Sequence, residues 1–240
     1  MRRISFSILV FSLASSAWAG VQEGLAAYKD KDYATALVEL RAAANSGFSN
    51  AQFFLGVMYE NGQGVMQNDK EATAWYRKAA YQGYAVAQFF LGLRYANGQG
   101  VAQNYKEAVT WYRKAAEQGH AEAQNALGRM YATGQGVAQD DKEAMVWYRK
   151  AAEQGDFDAQ HRLGEMYAFG QGVARNDKEA LIWYRKAAEQ ENASAQFNLG
   201  VMYANGRGAA QSDKEAVAWY RKAAEQGNAS AQFNLGVMYA

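Results

Sequence analysis

The chain has 240 residues, 25 Lys+Arg against 24 Asp+Glu, no cysteine and no proline, and half of it is apolar. A net charge of +1 gives no electrostatic reason to expect nucleic acid or an anionic membrane surface as a partner. With no cysteine there is no disulfide to staple a small fold, so stability has to come from packed apolar surface.

The first element is MRRISFSILVFSLASSAWAG. Arg2 and Arg3 form a positive start, Ile4 to Leu13 an apolar stretch, and Ala17-Trp18-Ala19 a small-residue cleavage site. That pattern predicts a secretory signal peptide over residues 1–19, cleaved near Ala19-Gly20, with an apolar core too short to cross a bilayer. No later stretch approaches the about 20 apolar residues of a spanning helix, so no membrane span is expected. The expected location is periplasmic or secreted. Residues 20–49 read as a degenerate helical pair: Leu25 to Tyr28, a KDKD connection, then Tyr33 to Asn45 and Gly47.

From residue 50 the chain repeats itself. Trp75, Trp111, Trp147, Trp183 and Trp219 stand 36 residues apart, each inside WYRKAAEQG or a near-copy of it. Five repeats cover 50–229, at 50–85, 86–121, 122–157, 158–193 and 194–229, and a partial sixth covers 230–240. A fixed period of this length marks a stacked array of supersecondary units rather than a domain with one centre.

Each repeat reads as two helices. The first runs through AQFFLGVMYEN and its equivalents to a Gly-x-Gly turn, with Ala51, Leu55 and Tyr59 on one face. Gly56 inside it costs about 0.5–1 kcal/mol relative to Ala, which a close approach of the neighbouring helix backbone is expected to offset. The second helix begins at Asn68, Asn104, Asp140, Asn176 or Ser212, each followed three residues later by Glu. This capping box should satisfy two backbone donors reciprocally. Ala72, Trp75, Ala79 and Ala80 are the expected buried face. The helix ends at Gly83, Gly119, Gly155 or Gly227; in the fourth repeat, at Glu191-Asn192, Asn192 is expected to adopt the left-handed conformation.

The string Leu-Gly-x-x-Tyr-x-x-Gly-x-Gly-Val, an acidic cap, Lys-Glu-Ala and Trp-Tyr-Arg-Lys-Ala-Ala-Glu-Gln-Gly together resemble the Sel-one-like repeat, a relative of the tetratricopeptide repeat. The resemblance is strong over 50–240 and weak over 21–49. It implies an all-α, right-handed α-solenoid whose first helices line the concave side. It also points to protein–protein scaffolding in cell-envelope complexes, secretion, stress adaptation or host contact. The chain departs from the common pattern at Met66, Ala102, Ala138, Ala174 and Ala210, where proline is frequent, and it lacks the cysteine pairs of the secreted cysteine-rich branch. The alternative reading is a cell-wall-related hydrolase or binder, acting on a β-lactam or muropeptide as proposed for that branch.

Catalytic chemistry in a repetitive chain should stand out as a singular feature, and no such constellation is found. His120 and His161 occupy non-equivalent repeat positions, H-E-x-x-H is absent, and the Gly-x-Gly turns lack the strand and Gly-Lys-Ser/Thr of a phosphate loop. No cofactor or metal is expected. Lys70-Glu71, Arg77-Lys78 and their copies read as a solvated face with local ion pairs.

Positions that stay constant between repeats serve the scaffold, and positions that vary are free to serve something specific. On the first helices a stripe at 50, 54, 57 and 61 and its equivalents varies. It carries Phe54 and Val57, then Phe90 and Leu93, then Arg129, then Arg162, Glu165 and Phe169. Phe54, Phe90 and Leu93 are expected as exposed apolar anchors, and Arg129, Arg162 and Glu165 as polar orienting contacts, in a groove for a protein or peptide partner. The chain stops at Ala240 inside a first helix whose Phe233, Leu235 and Tyr239 lack a following helix. The expectation is a truncated chain, or an end covered by another molecule and open to self-association.

Overall fold

The computed structural model describes residues 18–239, and among them every regular element is helical. Residues 18–29 form α1. Then come α2 (Tyr33–Asn45), α3 (Ser49–Asn61), α4 (Asp69–Tyr81), α5 (Ala85–Asn97), α6 (Tyr105–Glu117), α7 (Ala121–Thr133), α8 (Asp141–Glu153), α9 (Phe157–Phe169), α10 (Asp177–Glu189), α11 (Ala193–Ala204), α12 (Asp213–Glu225) and α13 (Ala229–Tyr239). The expected export signal lies outside the described residues except for Trp18 and Ala19, which open α1. The helices fall into two compact units, one ending at Gln118 and the other beginning at Gly119. Within each unit, consecutive helices pack on one another, and first helices recur every 36 residues. The all-α, two-helix repeat architecture is therefore the one the chain adopts.

The constant nonapeptide explains why the helices stack, because nearly every residue in it has a separate task. Its Tyr sits at the centre of the hairpin, with Tyr76 and Tyr112 fully buried, and its Trp is buried as expected at 111, 147 and 183 and partly exposed at 75 and 219. The Tyr ring lies against the helical glycine of the preceding helix, so the offset expected from backbone approach comes mainly from a ring seated where a Cβ would be. A Cβ on Gly56 would stand 2.7 Å from the Tyr76 ring and 3.2 Å from the Ala72 carbonyl oxygen. The Trp instead carries the Lys three residues later over its face, with Lys78 Nζ 3.6 Å from the Trp75 centroid and Lys150 Nζ 4.0 Å from that of Trp147.

The Arg reaches forward to the next repeat. Arg77 donates to the Tyr95 hydroxyl, Arg149 to that of Tyr167, Arg185 to that of Tyr203 and Arg221 to that of Tyr239. These bonds and the Lys–Trp contacts replace the local ion pairs expected on this face. The two alanines are buried in most copies. The Gln donates to a buried Gln of the preceding first helix, as Gln82 Nε2 does to Gln52 Oε1 at 2.7 Å and Gln154 Nε2 to Gln124 Oε1 at 2.7 Å. That buried Gln donates in turn to an Ala carbonyl of the second helix before it, as Gln88 does to Ala80 at 3.1 Å. The final Gly takes φ between +85° and +97° at Gly83, Gly119, Gly155 and Gly227.

At the fourth copy the left-handed residue is Glu191 (φ +66°), not Asn192. Asn192 is needed elsewhere: its side chain accepts the Ala195 N–H and caps α11. The capping boxes are also only half made. Asn68 accepts from the backbone N–H groups of Lys70 and Glu71. Its own N–H, which Glu71 was expected to satisfy, goes instead to the Tyr59 carbonyl at 2.9 Å. The same backbone bond recurs from Asn104, Asp140, Asn176 and Ser212, so it closes every first-to-second-helix turn.

Candidate functional site

The variable stripe lies on α3 and α5 in the N-terminal unit and on α7 and α9 in the C-terminal unit, and its character differs between them. In the N-terminal unit the expected exposed anchors are half-buried. Phe54 packs edge-on against Tyr28 (5.3 Å between centroids) and Phe53 (5.4 Å), and Phe90 against Phe53 (5.2 Å) and Tyr76 (5.4 Å). Val57 is half-buried beside them, and Leu93 is half-buried on its helix. The anchors expected to be exposed at 54 and 90 are thus corrected to the outer layer of an aromatic cluster, and the one at 93 to a half-buried residue. The reason is geometric: periodicity on one helix places a residue on a face but does not count the rings that neighbouring helices lay over it.

Beneath that cluster lies a charged pair whose two members occur only once each at their repeat positions. Arg94 stands where Met58, Met130, Met166 and Met202 stand in other repeats, and Glu60 stands where the others have Ala. Arg94 is 2% exposed, with Nη2 2.6 Å from Glu60 and Nη1 3.0 Å from Asp69. Glu60 also accepts from the Tyr76 hydroxyl. Here the buried Tyr76 hydroxyl finds a partner inside the protein, as a buried polar group must, and the exposed Asp69 at the start of the second helix pairs with the same Arg94 that Glu60 holds.

In the C-terminal unit the same place is hollow. Phe53, Val57, Phe90 and Leu93 have as their equivalents Asn125, Arg129, Arg162 and Glu165; Glu60 and Arg94 have Ala132 and Met166. Smaller residues and longer, hydrated ones leave a cavity of about 290 Å³, lined among others by Arg129, Thr133, Asp141, Tyr148, Arg162 and Glu165. Three stripe residues predicted from sequence, Arg129, Arg162 and Glu165, are brought together there. Phe169, at the end of α9, lies outside the cavity and is 67% exposed.

Arg162 donates to Glu165 at 2.8 Å, one turn along α9. Glu165 also stands 3.9 Å from His161 Nε2, and His161 pairs with Asn198 at 2.9 Å. Burial depresses the His161 pKa against the opposing pull of Glu165, so the ring is held neutral. Tyr148 is 3% exposed. Burial pushes its hydroxyl up to about 12, while the charges of Arg162 and Arg129 pull the other way. His120, the other histidine, caps α7 by accepting the Ala123 N–H. Among the described residues there is no group of three or more His, Cys, Asp or Glu placed to hold a metal ion, and no helix long and apolar enough to cross a membrane.

The repeat geometry, glycine seats and turn bonds match a known repeat. The Sel1 repeat model matches residues 49–84, 85–120, 121–156, 157–192, 193–228 and 229–240. The chain belongs to the Sel1 repeat family. Two solved structures are alike at 39% identity. One is a protective antigen present in uropathogenic Escherichia coli strains that displays an SLR fold, with a TM-score of 0.90 over 94% of this chain. The other is a Sel1 repeat protein from Oxalobacter formigenes, with a TM-score of 0.85 over 92% of this chain and 88% of that one. This chain spans 49% of the Escherichia coli protein's length. A sel1 repeat protein from Klebsiella pneumoniae, at 23% identity and a TM-score of 0.51, shares the fold. No curated protein sequence matches the chain. Sel1 repeats are in general scaffolds for protein–protein interaction. The residues that sequence reasoning missed are Tyr148 and Asp141; both are ordinary members of the repeat, and only their surroundings set them apart.

Proposed function

We propose that the protein is an extracytoplasmic Sel1 repeat scaffold, exported by residues 1–19, that binds a protein or peptide partner along the stripe of its first helices. One observation carries this reading. The second helices keep Lys-Glu-Ala and Trp-Tyr-Arg-Lys-Ala-Ala in every full repeat and vary mainly at the two positions between them, while the first-helix stripe changes from Phe54, Val57, Phe90 and Leu93 to Arg129, Arg162, Glu165 and Phe169. Stacking demands constancy, so a stripe that changes in chemical character is released from that demand. The half-buried aromatics offer a rigid apolar floor, and Arg129, Arg162 and Glu165 offer orientation. Phe169 adds an exposed ring at the end of α9.

Because Phe90 also packs on Phe53 and Tyr76, the test perturbs Leu93 and Arg162 instead. A Leu93→Ser, Arg162→Glu protein should melt like the unaltered one and lose its crosslinked partner in pull-downs from the cell envelope. Undiminished capture by that double variant refutes the stripe. Export is checked separately: removing residues 2–19 should leave the protein in the cytoplasm, and unchanged fractionation refutes the signal.

A further inference from the structure

We infer that the cavity of the C-terminal unit is a binding site for a small zwitterionic group, an amino acid or the terminus of a short peptide, whose carboxylate meets Arg129 and Tyr148 and whose ammonium meets Asp141. The inference deepens the interaction-scaffold reading and rests on it only for the identity of a macromolecular partner. The site itself is built from residues that lie within one unit.

At the start of the second helix, Asp69 is paired with Arg94 at 3.0 Å, and Asp177 is paired with Arg207 at 2.7 Å and Arg175 at 2.8 Å. Asp141 is their equivalent, and among the described residues no cation pairs with it, because Met166 and Gln171 occupy the positions of Arg94 and Arg207. The buried Tyr76 hydroxyl donates to Glu60. Tyr148 is its equivalent, and Ala132 stands where Glu60 would be, so this hydroxyl has no hydrogen-bond partner among the described residues. The Tyr148 side chain is 97% withdrawn from solvent and lines the cavity, so its hydroxyl is free to donate to a group bound there as Tyr76 donates to Glu60.

Arg129 completes the set. It replaces the Val of the first and fifth repeats, lines the same cavity and makes no ion pair among the described residues. Arg162 is already held by Glu165 and serves to fix the wall. The open groups are thus one guanidinium, one hydroxyl and one carboxylate. A simple anion would leave Asp141 unmatched and a simple cation would leave Arg129 unmatched, whereas a zwitterion satisfies all three. The cavity volume, about 290 Å³, stands at the small end for ligand sites and suits an amino acid or dipeptide.

The test is a ligand-observed NMR titration of the full chain with alanine, dialanine, N-acetyl-dialanine and dialanine amide. Alanine or dialanine should bind at least about tenfold more tightly than either blocked form, since each block removes a charge-assisted bond. Tyr148→Phe, Arg129→Val and Asp141→Asn should each weaken that binding by about tenfold, with melting curves unchanged. Tyr184→Phe, one repeat on and outside the cavity, should leave it intact. Preference for alanine identifies a free amino acid as the ligand class; preference for dialanine identifies a peptide terminus. Equal binding of the blocked forms, indifference to the three substitutions, or no binding overturns the inference. If that happens while Leu93→Ser, Arg162→Glu still abolishes partner capture, the scaffold reading stands without the pocket.

Discussion

Replacing Gly92 by Ala tests the claim that stacking depends on a Tyr ring seated over a helical glycine. In an ordinary solvent-facing helix this change stabilises by about 0.5–1 kcal/mol, because Ala loses less backbone freedom on folding. At Gly92 the new Cβ would stand 2.6 and 2.7 Å from two carbons of the Tyr112 ring and 3.3 Å from the Ala108 carbonyl oxygen. Relief needs the ring to move by nearly an ångström, yet Tyr112 and Ala108 are both fully buried. Overpacking of this kind costs about 1–3 kcal/mol, so the net effect is a destabilisation of about 0.5–2 kcal/mol. For a chain of this size that lowers the melting temperature by a few degrees, at about 2–4 °C per kcal/mol. Gly236 is the internal control: it occupies the same repeat position on α13 and has nothing within 4 Å of a built Cβ. Gly236→Ala should therefore increase amide protection in α13, read by hydrogen exchange, while Gly92→Ala lowers the circular dichroism melt. A Gly92→Ala protein that melts at or above the unaltered temperature refutes the ring-seat account.

Other substitutions probe the one-off residues. Arg94→Ala leaves Glu60 and Asp69 without their cation and should cost about 3 kcal/mol in a denaturant titration, whereas Arg94→Met with Glu60→Ala, which restores the repeat residues, should be neutral or stabilising. Glu191→Gly should stabilise by about 0.5–1 kcal/mol, because a left-handed residue is strained in Glu and not in Gly. His161→Phe, the residue at positions 53, 89 and 197, addresses pH. Burial holds the folded-state pKa of His161 below its unfolded value of about 6.5, so the stability it contributes is complete above that pH. It is lost as pH falls through the folded value, because the unfolded chain then binds the extra proton. The variant's melting temperature should therefore fall less between neutral and mildly acid pH than that of the unaltered protein.

Much of the fold was legible because periodicity exposes it directly. The 36-residue spacing of tryptophans, the Asn or Asp caps and the terminal glycines each correspond to an observed helix boundary or positive-φ residue. Errors arose where a side chain's role depends on a neighbour. Helical spacing put Trp75 and Tyr76 on adjoining faces but could not tell that Tyr76 takes the glycine seat, since the seat belongs to α3. The capping-box motif predicted a Glu partner for the Asn68 N–H, and a carbonyl from the preceding helix, Tyr59, competes for it and wins. Helical spacing puts Phe54 and Phe90 on one stripe, and it does not show that the rings of Phe53, Tyr28 and Tyr76 cover part of them.

The pocket shows why a comparison of repeats residue by residue stops short of function. Tyr148 and Asp141 are among the constant or near-constant positions, so that comparison assigns them to the scaffold. Their difference from Tyr76 and Asp69 lies wholly in what faces them: Ala132 in place of Glu60, and Met166 in place of Arg94. Losing both partners at once, in the one repeat where Arg129 also appears, turns two satisfied structural groups into an open donor and an open acceptor beside a free cation. The physical signal of such a site is a set of unpaired polar groups lining one cavity, not an unusual residue. It becomes visible only when each repeat's polar groups are checked for partners, which explains how a constant Tyr can be scaffold in the first repeat and recognition surface in the third.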